Sequence, residues 1–184
     1  LYADASGEVH DPTGGGLDDA RAGRVIFIGD AHTRIKEDYL RILRFFRFNA
    51  WYARGPLDPA GLHACADLVA GLDALSVERV WKEVKKLLAA PDPRAAWEAM
   101  KVIEVRARAL PEMANEARLD MLCTLEADLM LPVDPMTRVA ASLADQDGAR
   151  EIARRLKLSN EERDRLVAAL GDDVKITSYM SLRE

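Results

Sequence analysis

A carboxylate and a guanidinium stand three residues apart in the stretch E-D-Y-L-R-I-L-R at positions 37–44. If this stretch is helical, Asp38 and Arg41 share one helix face. An ionised Asp only accepts hydrogen bonds, and an Arg only donates them. Side by side, the two groups complement a base edge that pairs an amino donor with a ring-nitrogen acceptor, as in cytosine and adenine. Uracil and guanine present a carbonyl and a ring N–H instead, so the pair predicts a site that accepts C or A and repels U or G.

The alternative for the same two residues is a solvated ion pair on the protein surface. Asp and Arg at helical spacing are common, and most exposed pairs of this kind contribute little free energy. On this interpretation the pair binds no ligand.

The element that must hold the pair is a helix that we expect to run from Thr33, as its N-cap, to Tyr52, before the stop signal Gly55-Pro56. Its apolar positions form one stripe: Ile35, Tyr39, Ile42, Leu43, Phe46 and Ala50. The adjacent polar arc consists of Arg34, Asp38, Arg41 and Arg44, flanked by Phe45 and Phe48. A packed stripe can hold two reading groups within about half an ångström, so the arc is predicted to face a ligand. The two Phe residues are more typical of core than of a base-stacking site.

Three further motifs accompany this helix. Residues 11–18 read D-P-T-G-G-G-L-D, residues 24–29 read R-V-I-F-I-G, and residues 75–88 read L-S-V-E-R-V-W-K-E-V-K-K-L-L. In this order, and together with positions 37–44, they resemble the motifs of class II tRNA nucleotidyltransferases (CCA-adding enzymes) and bacterial poly(A) polymerases. The resemblance covers residues 11–88 and is weak from about residue 90 onward.

The resemblance implies a template-independent nucleotidyltransferase that adds C and A to tRNA 3′ ends. Its partners would be CTP, ATP and the 3′ end of a tRNA or another RNA. Asp38 and Arg41 would recognise the base, and Glu37, Arg44 and Arg34 would support them. Arg79 and Glu83 are expected to be structural, and their i, i+4 spacing would let them pair with each other.

The three consecutive glycines at 14–16 raise the question of a phosphate cradle. No Lys-Ser/Thr follows them and we expect no helix to start directly after them, so a P-loop is not predicted. Asp11, Gly14, Gly15 and Asp18 are instead predicted to form a flexible hinge, in which the two carboxylates hydrogen-bond turn amides.

In the family that the chain resembles, the chemistry belongs to a head domain. There an Asp-x-Asp pair holds two Mg²⁺ ions and an arginine motif binds the triphosphate. One Asp-x-Asp occurs here, at Asp145 and Asp147, but no apolar strand or glycine-rich loop precedes it, so a helix-cap role is preferred. We therefore expect no catalytic or metal-binding residue in this chain, Mg²⁺ bound by a head domain outside it, and no activity of the chain alone.

The predicted fold is mostly α, with a short β remnant of the head before a helical neck and body. Residues 1–32 would form the end of the head, with a hairpin turning at 5–7 and a strand at 25–28. Residues 33–110 would form the neck, and residues 111–184 an incomplete body. Beyond the central helix, helical patterns cover 56–72, a segment that Ser76 caps, 95–109, 119–131, 139–143, 149–158 and 161–170. Ser159 and Glu162 are expected to form a capping box.

Composition and cysteine placement are those of an intracellular globular chain, with 49% hydrophobic and 31% charged residues. No apolar run in the sequence is long enough to cross a membrane and we expect no signal peptide, so a cytoplasmic location and no membrane partner are expected. Cys65 and Cys123 lie far apart in apolar helical patterns, which favours reduced core thiols over a disulfide. No His stands at ligand spacing from them, so no structural zinc is predicted.

The charge is unevenly placed along the chain. Positions 21–54 carry eight cationic and three acidic residues, although the whole chain has a net charge of −5. Such asymmetry is typical of one face that meets phosphates while the remainder stays solvated. An arginine-rich helix face without a ligand is the alternative.

Other functions remain open at this point. The chain fits a poly(A) polymerase of the same family, and its motifs do not separate CCA addition from poly(A), CC or A addition. It also fits a non-catalytic helical scaffold or nucleic-acid-binding module. A helix-turn-helix over 149–170 would present Arg163 and Arg165, but Glu161, Glu162 and Asp164 interleave with them and would repel phosphates, so no DNA partner is expected.

Overall fold

The computed structural model describes residues 2–12 and 14–171, and they are mostly helical, as predicted. Two short strands, β1 (Tyr2–Ala3) and β2 (Val9–His10), precede the helices. The helices are α1 (Gly16–Ala22), α2 (Ala31–Glu37), α3 (Leu40–Tyr52), α4 (Pro59–Asp67), a 3₁₀ helix (Val69–Ala74), α5 (Val77–Leu88), α6 (Arg94–Val102), α7 (Val105–Ala109), α8 (Glu116–Asp128), α9 (Pro135–Ser142), α10 (Gln146–Arg155) and α11 (Asn160–Ala169). The helix expected over residues 161–170 lies within the described range, whereas residues 172–184 lie outside it.

The N-terminal hairpin is confirmed, but the strand predicted at residues 25–28 is not. Tyr2 pairs with His10 and Ala3 with Val9 in an antiparallel register, and the turn falls at Ala5-Ser6 before Gly7. Residues 25–28 pair with no strand in the described part of the chain. Val25 and Phe27 pack instead against the helical core, where Phe27 stacks on Phe45 of α3 with ring centroids 5.3 Å apart, and Ile26 and Ile28 stay exposed. A β-branched run needs a neighbouring strand to form a ladder, and the two-stranded hairpin does not extend to it.

The helix after the three glycines was not expected. Helix α1 begins at Gly16, so the statement that no helix follows the glycines directly was wrong. The carboxylate of Asp11 bridges this junction, because it accepts hydrogen bonds from the amides of Gly14 (3.2 Å) and Leu17 (3.1 Å). Asp11 thus has the turn-capping contact that the sequence predicted. Asp18 lies in the first turn of α1 and pairs with Arg21 at 3.7 Å.

The single helix predicted from Thr33 to Tyr52 is two helices with a break at Asp38 and Tyr39. The N-cap of α2 is Asp30 rather than Thr33, since its side chain accepts from the Thr33 amide. Asp38 has extended backbone angles, φ −159° and ψ 107°. Its carboxylate accepts from the Leu40 amide at 3.1 Å. A short polar side chain that bonds to a nearby amide competes with helical hydrogen bonding, and here it ends α2 and starts α3.

The core lies mainly around α3 and α5, which pack along most of their lengths. The predicted apolar stripe supplies Ile35, Ile42, Leu43 and Phe46, all with at most 2% of their surface exposed. Phe45 is also buried, as the core interpretation of this residue expected. Removing apolar surface of this size from water stabilises the pairing by roughly 2 kcal/mol per side chain. The face of α3 that carries the arginines is therefore fixed by the opposite, buried face.

Two other predicted helices are also interrupted. The segment 56–72 forms α4 up to Asp67 and then the 3₁₀ helix. The segment 95–109 forms α6 and α7, separated at Glu104, whose φ of 62° does not fit an α-helix. The helices of the C-terminal half agree with prediction within a few residues, and Ser159 and Glu162 form the expected capping box. Ser76 stands at the N-cap position of α5 but makes no side-chain capping bond.

A buried arginine joins the two halves of the described chain. Arg138, on α9, is 0% exposed and donates from Nε to Glu126 Oε2 at 2.7 Å. Its Nη1 and Nη2 donate to the carbonyls of Leu88, Ala90 and Pro91, between α5 and α6. The guanidinium thus satisfies three carbonyls that the end of α5 and the following turn leave without helical partners.

The two cysteines are buried free thiols, as predicted. Burial raises the pKa of Cys65 to about 12, which keeps this thiol protonated and unreactive at neutral pH. Among the helices of the described residues, none combines the length and the apolar character that a membrane crossing requires.

Candidate functional site

A cleft of about 210 Å³ lies between the segment 25–28 and helix α3. Three arginines of the predicted arc, Arg34, Arg41 and Arg44, line it. The rest of its wall is apolar or aromatic and consists of Val25, Ile26, Phe27, Ile28, Phe45 and Phe48. Cations beside aromatic and aliphatic surface suit a flat, anionic ligand, since rings can stack while guanidinium groups bind its acceptors.

Glu37 organises the arginines of the cleft. Its Oε2 accepts from Arg34 Nη1 at 2.6 Å and from Arg41 Nη1 at 2.5 Å. The Arg41 contact is the main cause that lowers the pKa of Glu37, so the carboxylate is ionised at neutral pH. Arg41 Nη1 also donates to the Arg34 carbonyl at 2.6 Å, which uses one end of the fork and leaves Nε and Nη2 to other partners. The Glu37 carboxylate thus fixes the orientation of the Arg34 and Arg41 guanidinium groups.

Asp38 stands beside the cleft rather than in its wall. One carboxylate oxygen accepts from the Leu40 amide, and the other accepts from Arg79 Nη2, on α5, at 2.7 Å. Partial burial raises the pKa of Asp38, but the Leu40 amide and Arg79 outweigh it, so the net shift is downward. The Arg41 amide donates to the Asp38 carbonyl at 3.0 Å, so the two residues stay one turn apart although the helix does not run through both.

Arg79 and Glu83 do not pair with each other as their spacing suggested, because each has a partner across the α3–α5 interface. Glu83 is 4% exposed and lies 3.2 Å from Arg47 Nη1 and 3.6 Å from Arg44 Nε. Arg79 reaches Asp38. A buried carboxylate needs such cations, since desolvating an unpaired charge is costly. Both residues tie α5 to the helices that carry the predicted reading pair.

The described residues offer no site that fits two Mg²⁺ ions. Asp145 is the N-cap of α10 and accepts from the Gly148 amide at 2.9 Å, which confirms the helix-cap interpretation, and Asp147 pairs with Arg150. The one cluster of potential ligands among residues 2–12 and 14–171 is Asp4, Glu8 and His10 on the hairpin. It is open to solvent and includes an imidazole, whereas Mg²⁺ is held by oxygen ligands on rigid elements.

The helix-turn-helix alternative gains no support from the geometry of α10 and α11. Arg163 is held by Asp164 and Asn160, and Arg165 pairs with Asp134. Their charges are neutralised within the protein, so α11 presents no free cationic face among its described contacts.

Sequence reasoning missed several groups near the cleft and misassigned one. The core interpretation of Phe48 was wrong, since Phe48 stays exposed at the end of α3 together with Trp51 and Tyr52, which the sequence analysis did not single out. The residue types that follow Phe46 in the sequence indicate this exposure only weakly. His32 of α2 lies 2.8 Å from Asp67 of α4, and no local spacing could have indicated this contact. His63 lies 3.5 Å from the same carboxylate and stands at i, i+4 from it, so that contact was readable from the sequence.

A protein-family comparison matches residues 56–116 to the family described as "Probable RNA and SrmB- binding site of polymerase A". The matched region runs from just before α4 into the start of α8. It therefore includes α5, whose Arg79 and Glu83 contact the helices that line the cleft.

Curated relatives cover more of the chain. The CCA tRNA nucleotidyltransferase 1, mitochondrial, of Homo sapiens is 35% identical over 155 residues, which is 81% of this chain and 35% of that protein. The CCA-adding enzyme of Streptococcus gordonii is 31% identical over 170 residues, 92% of this chain and 41% of that protein. The Multifunctional CCA protein of Halorhodospira halophila is 37% identical over 117 residues, 61% of this chain and 27% of that protein. The chain thus spans about a third to two fifths of the length of the first two relatives.

Proposed function

Because this chain belongs to the family of CCA-adding tRNA nucleotidyltransferases and bacterial poly(A) polymerases, we propose that it selects the base in an enzyme that adds C and A to tRNA 3′ ends. The observation that carries this proposal is the aromatic-walled cleft with its three arginines and the ionised Asp38 next to it. CTP, ATP and the RNA 3′ end are the partners, and Mg²⁺ is bound by residues outside the described ones.

The reading mechanism uses the hydrogen-bonding capacity that the contacts leave. Asp38 accepts from the exocyclic amine of cytosine or adenine, and Arg41 donates to the neighbouring ring nitrogen. A carboxylate has about four lone-pair sites, of which the Leu40 amide and Arg79 occupy two. Glu37 and the Arg34 carbonyl hold one end of the Arg41 guanidinium, so its other donors are directed without a large loss of side-chain freedom.

The same geometry rejects the other two bases. Uracil and guanine would place a carbonyl oxygen against the Asp38 carboxylate and a ring N–H against the Arg41 guanidinium. Each mismatch leaves a polar group unpaired, at a cost of roughly 1–3 kcal/mol. Selection is thus a matter of positioned donors and acceptors and needs no template strand.

We expect Asp38→Ala to abolish the preference for CTP and ATP over UTP and GTP. Loss of the acceptor changes the preference by about 5- to 150-fold, the equivalent of 1–3 kcal/mol. The measurement is kcat/KM for the four triphosphates in an enzyme that contains this chain together with a head domain of the family. An unchanged preference in the Asp38→Ala enzyme would refute the base-reading role.

A matched control separates reading from structure. Arg79→Gln removes the same Asp38–Arg79 ion pair but keeps the Asp38 acceptor. If Arg79→Gln abolished the preference as completely as Asp38→Ala, Asp38 would act only by holding α2 and α3 to α5. A ligand-free scaffold, in turn, predicts a small change of stability and none of selectivity in either variant.

The Homo sapiens and Streptococcus gordonii relatives, which match most of the chain, are CCA-adding enzymes, and this supports CCA addition over poly(A) addition. The product separates the two activities. A tRNA that lacks its 3′ CCA gains three nucleotides from a CCA-adding enzyme, whereas a poly(A) polymerase extends an RNA with many adenylates.

A further inference from the structure

Three exposed aromatic residues, an arginine and a lysine form a shallow groove beside the arginine cleft. Phe48, Trp51 and Tyr52 of α3, with Arg47 and with Lys86 of α5, enclose about 290 Å³. Tyr52 is 61% exposed and Trp51 41% exposed, which is unusual for large rings on a helix whose other side is core. We call Phe48, Trp51 and Tyr52 the aromatic ledge.

The aromatic ledge continues the face of α3 that lines the cleft. At about 100° per residue, Arg41, Arg44 and the three ledge residues fall within one arc of roughly 100°. Phe48 lines both the cleft and the groove, so the two share a wall. From Arg41 to Tyr52 the face extends ~16 Å along the helix axis.

The rings are held in place by neighbouring groups. Trp51 Nε1 donates to the Lys86 carbonyl at 2.7 Å, which fixes the indole against α5. The Phe48 and Tyr52 ring centroids are 6.0 Å apart, and the Arg47 guanidinium lies 4.3 Å from the Phe48 centroid. A ligand ring that stacks here contacts aromatic side chains that are already held in place, so little side-chain freedom is lost on binding.

A cationic strip runs along α5 next to the ledge. Arg79, Lys82 and Lys86 are exposed and stand at i, i+3 and i+7, so they lie on one helix face. The strip begins at Arg79, which contacts Asp38, and ends at Lys86, which lines the groove. Aromatic platforms beside a line of cations are the features that bind single-stranded nucleic acid, by base stacking and phosphate contacts.

We infer that the aromatic ledge and the strip bind the single-stranded 3′ end of the RNA that receives the new nucleotide. The inference rests on the proposed function, in which an RNA 3′ end must lie next to the base-reading site. Bases stack on Tyr52, Trp51 and Phe48, while Lys82 and Lys86 bind the phosphates. Stacking tolerates any base, so this surface holds strands of changing sequence as the 3′ end grows.

The test is a titration of the 184-residue chain with a single-stranded RNA hexamer of C and A, followed by tryptophan fluorescence. Trp81 and Trp97 are at most 6% exposed, so Trp51 reports on the surface. We expect quenching that saturates, and a Kd at least about fivefold higher for Tyr52→Ala. Lys86→Gln should reduce the slope of log Kd against log salt by about 0.7.

The matched control is Tyr2→Ala, since Tyr2 is also 61% exposed but lies on the hairpin. Its Kd for the hexamer should equal that of the unchanged chain. Absence of quenching, or equal Kd values for the Tyr52 and Tyr2 variants, would overturn the inference and leave the ledge as a surface for a protein. The titration contains no nucleoside triphosphate, so its failure is distinguishable from a failure of base selection, which is measured by the triphosphate preference.

Discussion

Replacement of Arg138 with methionine is expected to lower the free energy of unfolding by about 3–5 kcal/mol. The guanidinium is 0% exposed, and its loss leaves the buried Glu126 carboxylate without its cation. The carbonyls of Leu88, Ala90 and Pro91 lose their donors as well. Removing one partner of a buried ion pair costs more free energy than replacing both partners with apolar residues, because the remaining partner is left as a desolvated charge. Urea unfolding of the chain, followed by circular dichroism, measures the loss.

A second arginine provides the comparison for this experiment. Arg154 pairs with Glu151 at 2.6 Å, but its side chain is 74% exposed. Arg154→Met should change stability by at most about 0.5 kcal/mol. The double variant Arg138→Met with Glu126→Gln should recover part of the loss, since it also removes the stranded charge. Equal effects of the two Arg→Met changes would show that the Arg138 contacts are not stabilising.

Gly71→Ala should destabilise the protein by about 1–3 kcal/mol and weaken base selection at the same time. Gly71 lies in the 3₁₀ helix, and a Cβ on it would overlap the ring of Tyr39. The ring must turn away as a whole, because the overlap includes the atom that joins it to the side chain. Tyr39 directly follows Asp38, so the displacement reaches the predicted reading residue. Thermal unfolding and the triphosphate preference report the two effects.

Gly148→Ala serves as the matched change on another helix. A Cβ at Gly148 would meet only ordinary contacts, at 3.6 Å from Asp145 and 3.9 Å from Leu143. It should be neutral or stabilise by about 0.4–1 kcal/mol, because the unfolded chain loses freedom. In a Tyr39→Ala background, Gly71→Ala should cost little, since the overlapping ring is gone. A full cost in that background would contradict the overlap as the cause.

Most helices of this chain follow from local patterns that a single sequence contains. The apolar stripe of α3, the capping box of Ser159 and Glu162 and the cap at Asp145 each depend on residues within one or two turns. The clustering of Arg34, Arg41 and Arg44 is local in the same sense, since all three lie within eleven residues. Such features could be predicted because their partners are neighbours in the chain.

The departures come from competing contacts that local periodicity does not report. The helix break at Asp38 depends on a side chain that caps Leu40, on a contact with Arg79 forty-one residues away, and on space for Tyr39 beside Gly71. The run at 25–28 has the composition of a strand, but its neighbour is a helix. In both cases a tertiary partner overrides local preference.

The extended backbone at Asp38 bears on how the proposed reading site would serve two bases of different size. The backbone of a residue inside a continuous helix moves only together with its neighbours, because the hydrogen bonds of the helix tie its torsions to theirs. Asp38 lies between helices α2 and α3, so rotation about its φ and ψ would move its carboxylate while helix α3 stays packed. The base edge lies at different positions in a pyrimidine and a purine. A local rotation at Asp38 would then accommodate both, while the arginines of the cleft keep their positions.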